Sequence, residues 1–283
     1  MERIKQAVEK AKAEREAAAG VQTQGSARRE PETSAPDAAA HAPPLQEKNI
    51  AYSRTRVEAP DPGLLVRNRI VTEEGDRGGL TAYKMLRTQV LQRMNAKGWN
   101  ALALTSPAAG DGKTLTAINL AISMARELGQ TVLLVDLDLC NPSVHKYLGL
   151  TPGAGVVGYL RDGVGMNEVL VNPGIDRLVV MPGGVSVANS SEILSSTAVG
   201  KLVSEMKSRY PSRMVLFDLP PILQVDDALA FAPHVDAFLM VLREGKTTRQ
   251  EVEHAMELLH NVPIIGTVLN AAEQRSPQYY RAR

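Results

Sequence analysis

A single cysteine, Cys140, stands among 283 residues, which excludes an internal disulfide and a multi-cysteine zinc or iron-sulfur site. A reducing compartment is therefore expected. Aromatic residues make up 4% of the chain, too few for stacking on nucleic-acid bases to be a first reading. An excess of one charge is also missing: 32 Lys plus Arg face 31 Asp plus Glu, for a formal charge of +1. No global field draws in nucleic acid or an anionic membrane, so any anion site has to be local. Eighteen apolar residues nowhere run together, and the opening MERIKQAVEKAKAEREAAAG is charged where a secretory leader would be apolar. A cytoplasmic location follows as the expectation. What the chain does have is 44% apolar residues, enough for a sizeable core in one or two domains.

Three stretches differ in character. In residues 1–19, Ile4, Val8 and Ala11 fall at helical spacing among Lys and Glu, which predicts a polar helix with a thin apolar face. From residue 20 to about 66 the sequence is rich in Ala, Pro, Ser and charge without a periodic apolar stripe. Such a segment cannot offset its ordering entropy, and residues 1–67 together read as a polar helix plus flexible linker. Residues 68–272 read as the folded domain and 273–283 as a tail.

Within the domain, apolar strands alternate with amphipathic helices. Tyr83, Leu86, Val90, Leu91 and Met94 share a helical face, and NALALTS follows as a strand ending in a Gly-rich turn. A helix is expected over residues 114–128, then the strand TVLLVDLD and four further strand-length runs, RLVVMPG, RMVLFDLPP, DAFLMVLREG and PIIGTVLN. Helical stretches near 190–209, 225–232 and 247–260 separate them. This alternation predicts an α/β fold: a mostly parallel sheet with helices on both faces and ligands beyond the carboxyl ends of the strands.

The segment from Thr105 to Thr114, TSPAAGDGKT, lies between a strand and a helix. In a P-loop, glycines let backbone N–H groups converge on phosphate oxygens, while Lys and Thr reach the terminal phosphates and Mg²⁺. Gly110, Gly112, Lys113 and Thr114 fit those roles, and the loop from Ala109 through Asp111 to Leu115 is the expected nucleotide contact. Pro107 stands where the strict pattern has its first glycine, so this is a variant loop. Two more strands end in acids: Asp136 and Asp138 stand two apart on one face of an extended chain, and Asp218 ends another apolar run. Burying such a carboxylate is costly unless a cation accompanies it. ATP and Mg²⁺ are the ligands this set predicts.

A loop ending GDGKT, a strand ending DLD, and FDLPP, supported by SVHKYLGL, NSSEILSS, VLREGKTT and GTVLN, resemble the bacterial tyrosine kinases. These are the autokinases of capsule and exopolysaccharide export, within the deviant P-loop ATPases. The resemblance covers roughly residues 78–272 and implies a P-loop NTPase-like fold. Carried over, it implies that Lys113 holds the β- and γ-phosphates, Thr114 ligates Mg²⁺ and Asp218 fixes the metal's water shell. Asp136 would be the base for the attacking tyrosine, Asp138 would assist the metal or the transition-state charge, and Asn270 would contact adenine. Tyr279 and Tyr280, in the terminal SPQYYRAR, would be the autophosphorylation sites. The family also implies a separate membrane chain-length or co-polymerase protein as partner, peripheral placement at the inner membrane through it, a cognate tyrosine phosphatase, homo-oligomers and no nucleic acid.

Some positions depart from that pattern. Cys140 and Asn141 follow Leu139 where the second acidic motif usually continues into arginine, so a compensating cation would have to come from elsewhere. Thr81, Lys84 and Arg87 stand in place of the family's Glu, Arg and Arg on its oligomerisation helix, and lysine does not reproduce arginine's fork. A regulatory ATPase or scaffold of the same machinery, transferring no phosphate to tyrosine, therefore stays open beside the kinase. A partition-type positioning ATPase would need a signature lysine where Ala108 stands.

Overall fold

The computed structural model describes residues 55–72, 77–127, 129–208 and 212–272. The helix expected over residues 1–19 and the tail with Tyr279 and Tyr280 lie outside them, as does Leu128. In chain order the elements are β1 (Arg56–Val57), α1 (Pro62–Arg67), α2 (Arg77–Asn95), β2 (Ala101–Thr105), α3 (Lys113–Ala125) and β3 (Thr131–Asp136). Then come α4 (Val144–Leu148), α5 (Gly155–Asp162), α6 (Met166–Val169), β4 (Val171–Asn172), β5 (Leu178–Met181), α7 (Ser190–Leu194) and α8 (Thr197–Ser208). The last are β6 (Arg213–Asp218), α9 (Asp227–Phe231), β7 (Ala237–Arg243), α10 (Arg249–Leu258) and β8 (Ile264–Asn270).

The strands form one sheet in the order β1-β4-β5-β3-β6-β2-β7-β8. From β5 to β8 every neighbouring pair is parallel, as expected. The edge is different: β4 is antiparallel to β5, and β1 joins β4 in parallel.

Alternation along each strand explains why both faces are covered. In β2, Ala101 and Ala103 point into one apolar layer and Leu102 and Leu104 into the other; Leu133 and Val135 of β3 oppose Val132 and Leu134 in the same way. Helix α3 lies on the second face, burying Ile118, Leu120, Ile122 and Met124, together with Val90, Leu91 and Met94 of α2. Helix α8 covers the first face through Val199, Leu202, Val203 and Met206. Phe217 of β6 packs edge-on against Phe231 of α9 with ring centroids 4.9 Å apart, one residue before Asp218. Strands buried on both sides read as continuous apolar runs, which is the pattern the sequence carries.

Residues 56–67, assigned by composition to the linker, instead form β1 and α1. The physical reason is local: Asp61 accepts a bond from Gly63 N at 2.9 Å and Pro62 opens the helix with its preset φ. Ile70 and Val71 beyond it are buried, and Asn119 of α3 accepts from Val71 N at 2.8 Å. The helix expected over 190–209 is interrupted between α7 and α8, and the one expected over 114–128 starts at Lys113 and ends at Ala125. The order β3-β6-β2 sets the carboxyl ends of three strands side by side, and the loop after β2 lies among them.

Candidate nucleotide-binding site

The loop between β2 and α3 is shaped by its glycines. Gly110 and Gly112 have φ of +82° and +95°, where L side chains are strained, and Gly112 is the N-cap of α3. A glycine offers no capping side chain, and the first turn of α3 carries no acid, so the helix's leading N–H groups and positive dipole end have no side-chain cap. Asp111 is fully buried, and its Oδ2 accepts from Ala108 N at 3.0 Å, holding the loop from within. Ser106 Oγ donates to Ala108 O at 2.8 Å, and Thr105 Oγ1 donates to Pro220 O at 2.7 Å, tying the loop's start to the exit of β6.

Three consecutive carbonyls of the loop are bound from the opposite side. Lys246 Nζ donates to Ala109 O at 2.9 Å, Arg243 Nη1 to Gly110 O at 2.9 Å, and Asn270 Nδ2 to Asp111 O at 2.8 Å. All three donors come from the ends of β7 and β8 or the turn after β7. Asn270, expected to contact adenine, bonds the loop's backbone, and Arg243 and Lys246 of the motif VLREGKTT, not singled out as site residues by the sequence, do so beside it. Leu115 packs its side chain into the apolar layer under α3, so it turns only main chain toward the loop.

Behind the loop lies a chain of charged bonds. Lys113 Nζ donates to Asp138 Oδ2 at 2.8 Å and lies 3.3 Å from Thr114 Oγ1. Thr114 Oγ1 donates to Asp218 Oδ2 at 2.6 Å, and Ser143 Oγ is 3.4 Å from Thr114 Oγ1. Asp136 and Asp218 are register partners across β3 and β6, both fully buried. Burial opposes the Lys113 ammonium, but Asp218, Asp138 and Asp136 outweigh it and hold the pKa above the usual lysine value. Burial, with Asp218 next, pushes Asp136 up to about 7 against the opposing bonds from Val144 and Ser143. Burial likewise raises Asp218, although Lys113 and Thr114 pull the other way.

Asp136 does not bond to Lys113. Its Oδ2 accepts from Ser143 N at 2.8 Å and Val144 N at 3.0 Å, and its Oδ1 from Asp138 N at 3.2 Å. The carboxylate therefore braces the segment that carries Asp138. Asp218 Oδ1, by contrast, is buried without a hydrogen-bond partner. An orphaned carboxylate oxygen next to a hydroxyl fits a hydrated Mg²⁺, which takes few protein oxygens and keeps water. Among the described residues no three His, Cys, Asp or Glu side chains are grouped to hold a metal by themselves.

The remaining positions fall apart from this cluster. Cys140 is half-buried, with Sγ 3.1 Å from Ser190 Oγ. On α2, Arg87 pairs with Glu127 at 2.9 Å and donates to Ser123 O at 3.1 Å. No helix among the described residues is long and apolar enough to cross a membrane.

Comparison with known proteins adds to this geometry. A family model described as "ParA: NUBPL iron-transfer P-loop NTPase" matches residues 99–282. The tyrosine-protein kinase YwqD of Bacillus subtilis (strain 168) is 31% identical over 206 residues, 72% of this chain and 86% of YwqD. The tyrosine-protein kinase wzc of Salmonella typhi is 32% identical over 203 residues, 71% of this chain but 28% of that larger protein. Among solved structures, the kinase domain of the Escherichia coli tyrosine kinase ETK superimposes with a TM-score of 0.66 at 25% identity, covering 81% of this chain and 93% of that one. The VpsO kinase domain gives a TM-score of 0.62 at 28% identity, over 69% and 96% of the two chains.

Proposed function

This chain belongs to the bacterial tyrosine-protein kinases, within the ParA-type P-loop NTPases, and from that premise we propose an ATP-dependent protein-tyrosine autokinase of exopolysaccharide or capsule assembly. One observation carries the reading: the linked pairs Lys113–Asp138 and Thr114–Asp218 sit directly behind the glycine-capped start of α3. In the proposed assignment the amides from Ala109 to Leu115 and the Lys113 ammonium hold the phosphates, and Asn270 lies beside the base. Thr114 and Asp218 would hold Mg²⁺, which when bound neutralises charge on the phosphates.

Phosphoryl transfer asks the protein mainly for position and charge. The tyrosine oxygen forms a bond to the terminal phosphorus as the bond to the ADP oxygen breaks, and the phenolic proton goes to a carboxylate. Resemblance assigns that proton to Asp136. Both carboxylates have both oxygens hydrogen-bonded, Asp138 by Lys113 and by Asn141 N at 3.1 Å. We favour Asp138 because it alone bonds the Lys113 ammonium that would hold the phosphates and it keeps 6% exposure where Asp136 has none. Asp136 is then the positioning residue that fixes Asp138.

Tyr279 and Tyr280 are the proposed acceptors, and a membrane co-polymerase is the proposed partner. Incubation with ATP and Mg²⁺ followed by mass spectrometry should find phosphate on Tyr279 or Tyr280, absent from Lys113→Met. No phosphotyrosine even with the partner present would refute the kinase. Cys140, standing where arginine is expected, favours a second reading in which the chain is a regulatory ATPase. Under that reading, deleting residues 276–283 leaves polymer export unchanged, whereas the kinase predicts a defect or an altered chain length.

A further inference from the structure

At the end of α3 away from the nucleotide loop, a cavity of about 760 Å³ lies between α2, the turn that leaves α3 and the turn that enters β5. Helix α3 spans 13 residues, so its two ends are about 20 Å apart. Leu80, Lys84 and Arg87 line the cavity from α2, where spacings of four and three residues put them on one helical face. Arg126 and Glu127 join them from the end of α3, and Asp176 and Arg177 from the start of β5. Four cations thus meet two acids, a local excess of two positive charges in a chain whose formal total is +1.

Two of these cations have work within the fold. Arg87 donates to Ser123 O and pairs with Glu127, and Arg177 Nε donates to Ala125 O at 2.9 Å, so the last carbonyls of α3 and its negative dipole end are covered. That work leaves capacity unused. Arg87 Nε is buried with no hydrogen-bond partner, and Arg177 is held at φ of +63°, a left-handed conformation that strains an L residue. Lys84 and Arg126 have no such work: neither side chain makes a hydrogen bond or ion pair among the described residues. With Glu127 taken by Arg87, Asp176 is the acid left to face Lys84, Arg126 and Arg177.

We propose that this cavity binds a soluble, phosphate-bearing small molecule carrying two or more negative charges, through Lys84, Arg126 and Arg177. A single carboxylate matches only half of the excess charge, whereas a phosphate group matches it and offers several oxygens to donors arriving from three separate segments. The volume lies in the range of small-molecule sites. The inference does not rest on the nucleotide reading, since the cavity shares no residue with the loop or the Lys113 cluster.

The test is calorimetric titration of the full chain with inorganic pyrophosphate for wild type, Lys84→Gln, Arg126→Gln, the double variant and Arg126→Lys. Each lost charge should weaken binding about tenfold, the double variant should lose more than either single one, and the losses should shrink at high salt. Arg126→Lys, which keeps the charge, should retain most of the affinity. Pyrophosphate held at the nucleotide loop is told apart by its loss in Lys113→Met and its indifference to Lys84→Gln and Arg126→Gln. Arg177 is left in place because it caps α3, and the variants used should melt as wild type does. No uptake by wild type, or uptake that the double variant leaves unchanged, overturns the proposal. So does capture by phosphatidylglycerol vesicles, or self-association of the chain, that depends on Lys84 and Arg126 and occurs in place of pyrophosphate uptake.

Discussion

Replacing Gly112 by alanine probes two separable features of the site at once. Gly112 holds φ at +95°, and an L residue forced into left-handed backbone costs about 1–2 kcal/mol. The added Cβ would also overlap the Asn270 side-chain nitrogen, with Asn270 Cγ only 3.1 Å away. Asn270 would have to swing out, breaking its 2.8 Å bond to Asp111 O at a cost of about 1 kcal/mol. The sum, about 2–3 kcal/mol, is a large fraction of a domain's stability. Urea denaturation of wild type, Gly112→Ala, Asn270→Ala and the double variant separates the terms. With Asn270 already shortened, Gly112→Ala should cost only its backbone strain, so the two changes should be less than additive by about 1 kcal/mol. Strict additivity would refute the close approach of Asn270 to the head of α3.

Other outcomes follow from the acid cluster. The folded pKa of Asp136, about 7, lies above its ordinary 3.8, so the stability this carboxyl contributes is present below about pH 4 and is lost as pH rises through 7. Metal-free protein should lose up to about 4 kcal/mol across that window, and Asp136→Asn should flatten the slope of stability against pH; an unchanged slope would show that Asp136 ionises normally. Lys113→Met removes the cation that faces Asp138 and Asp218. It should abolish tyrosine phosphorylation and weaken ATP binding at least tenfold in calorimetry, a fall that one lost charge-assisted contact explains.

Much of the fold was legible because its central strands are buried on both faces. Runs such as TVLLVD and RMVLFD leave little ambiguity when Gly and polar clusters bound them and amphipathic helices follow. The edge was not legible: Arg56–Val57 and Val171–Asn172 are two residues each, too short to carry a period, and the first pair is exposed. Helix α5 is not legible because GVVGYLRD starts and ends among glycines that read as loop. At the site, Lys113, Thr114 and Asp218 were visible because each stands at a strand end or helix start, and Asp138 because it follows two residues after Asp136, just past the end of β3. Asp136 was visible too, but its bonds to Ser143 and Val144 depend on how the following segment folds back. Arg243 and Lys246 look like any exposed cations in sequence, since nothing local tells which loop, more than a hundred residues earlier, they will meet.

In the proposed function, the segment from Ala109 to Leu115 receives a magnesium-bound nucleoside triphosphate. Calorimetric titration of purified wild-type chain with ATP, with and without Mg²⁺, tests it most directly. One site per chain, tighter with the ion present and lost in Thr114→Val, is the predicted result. A folded protein that takes up no ATP under either condition would contradict the account.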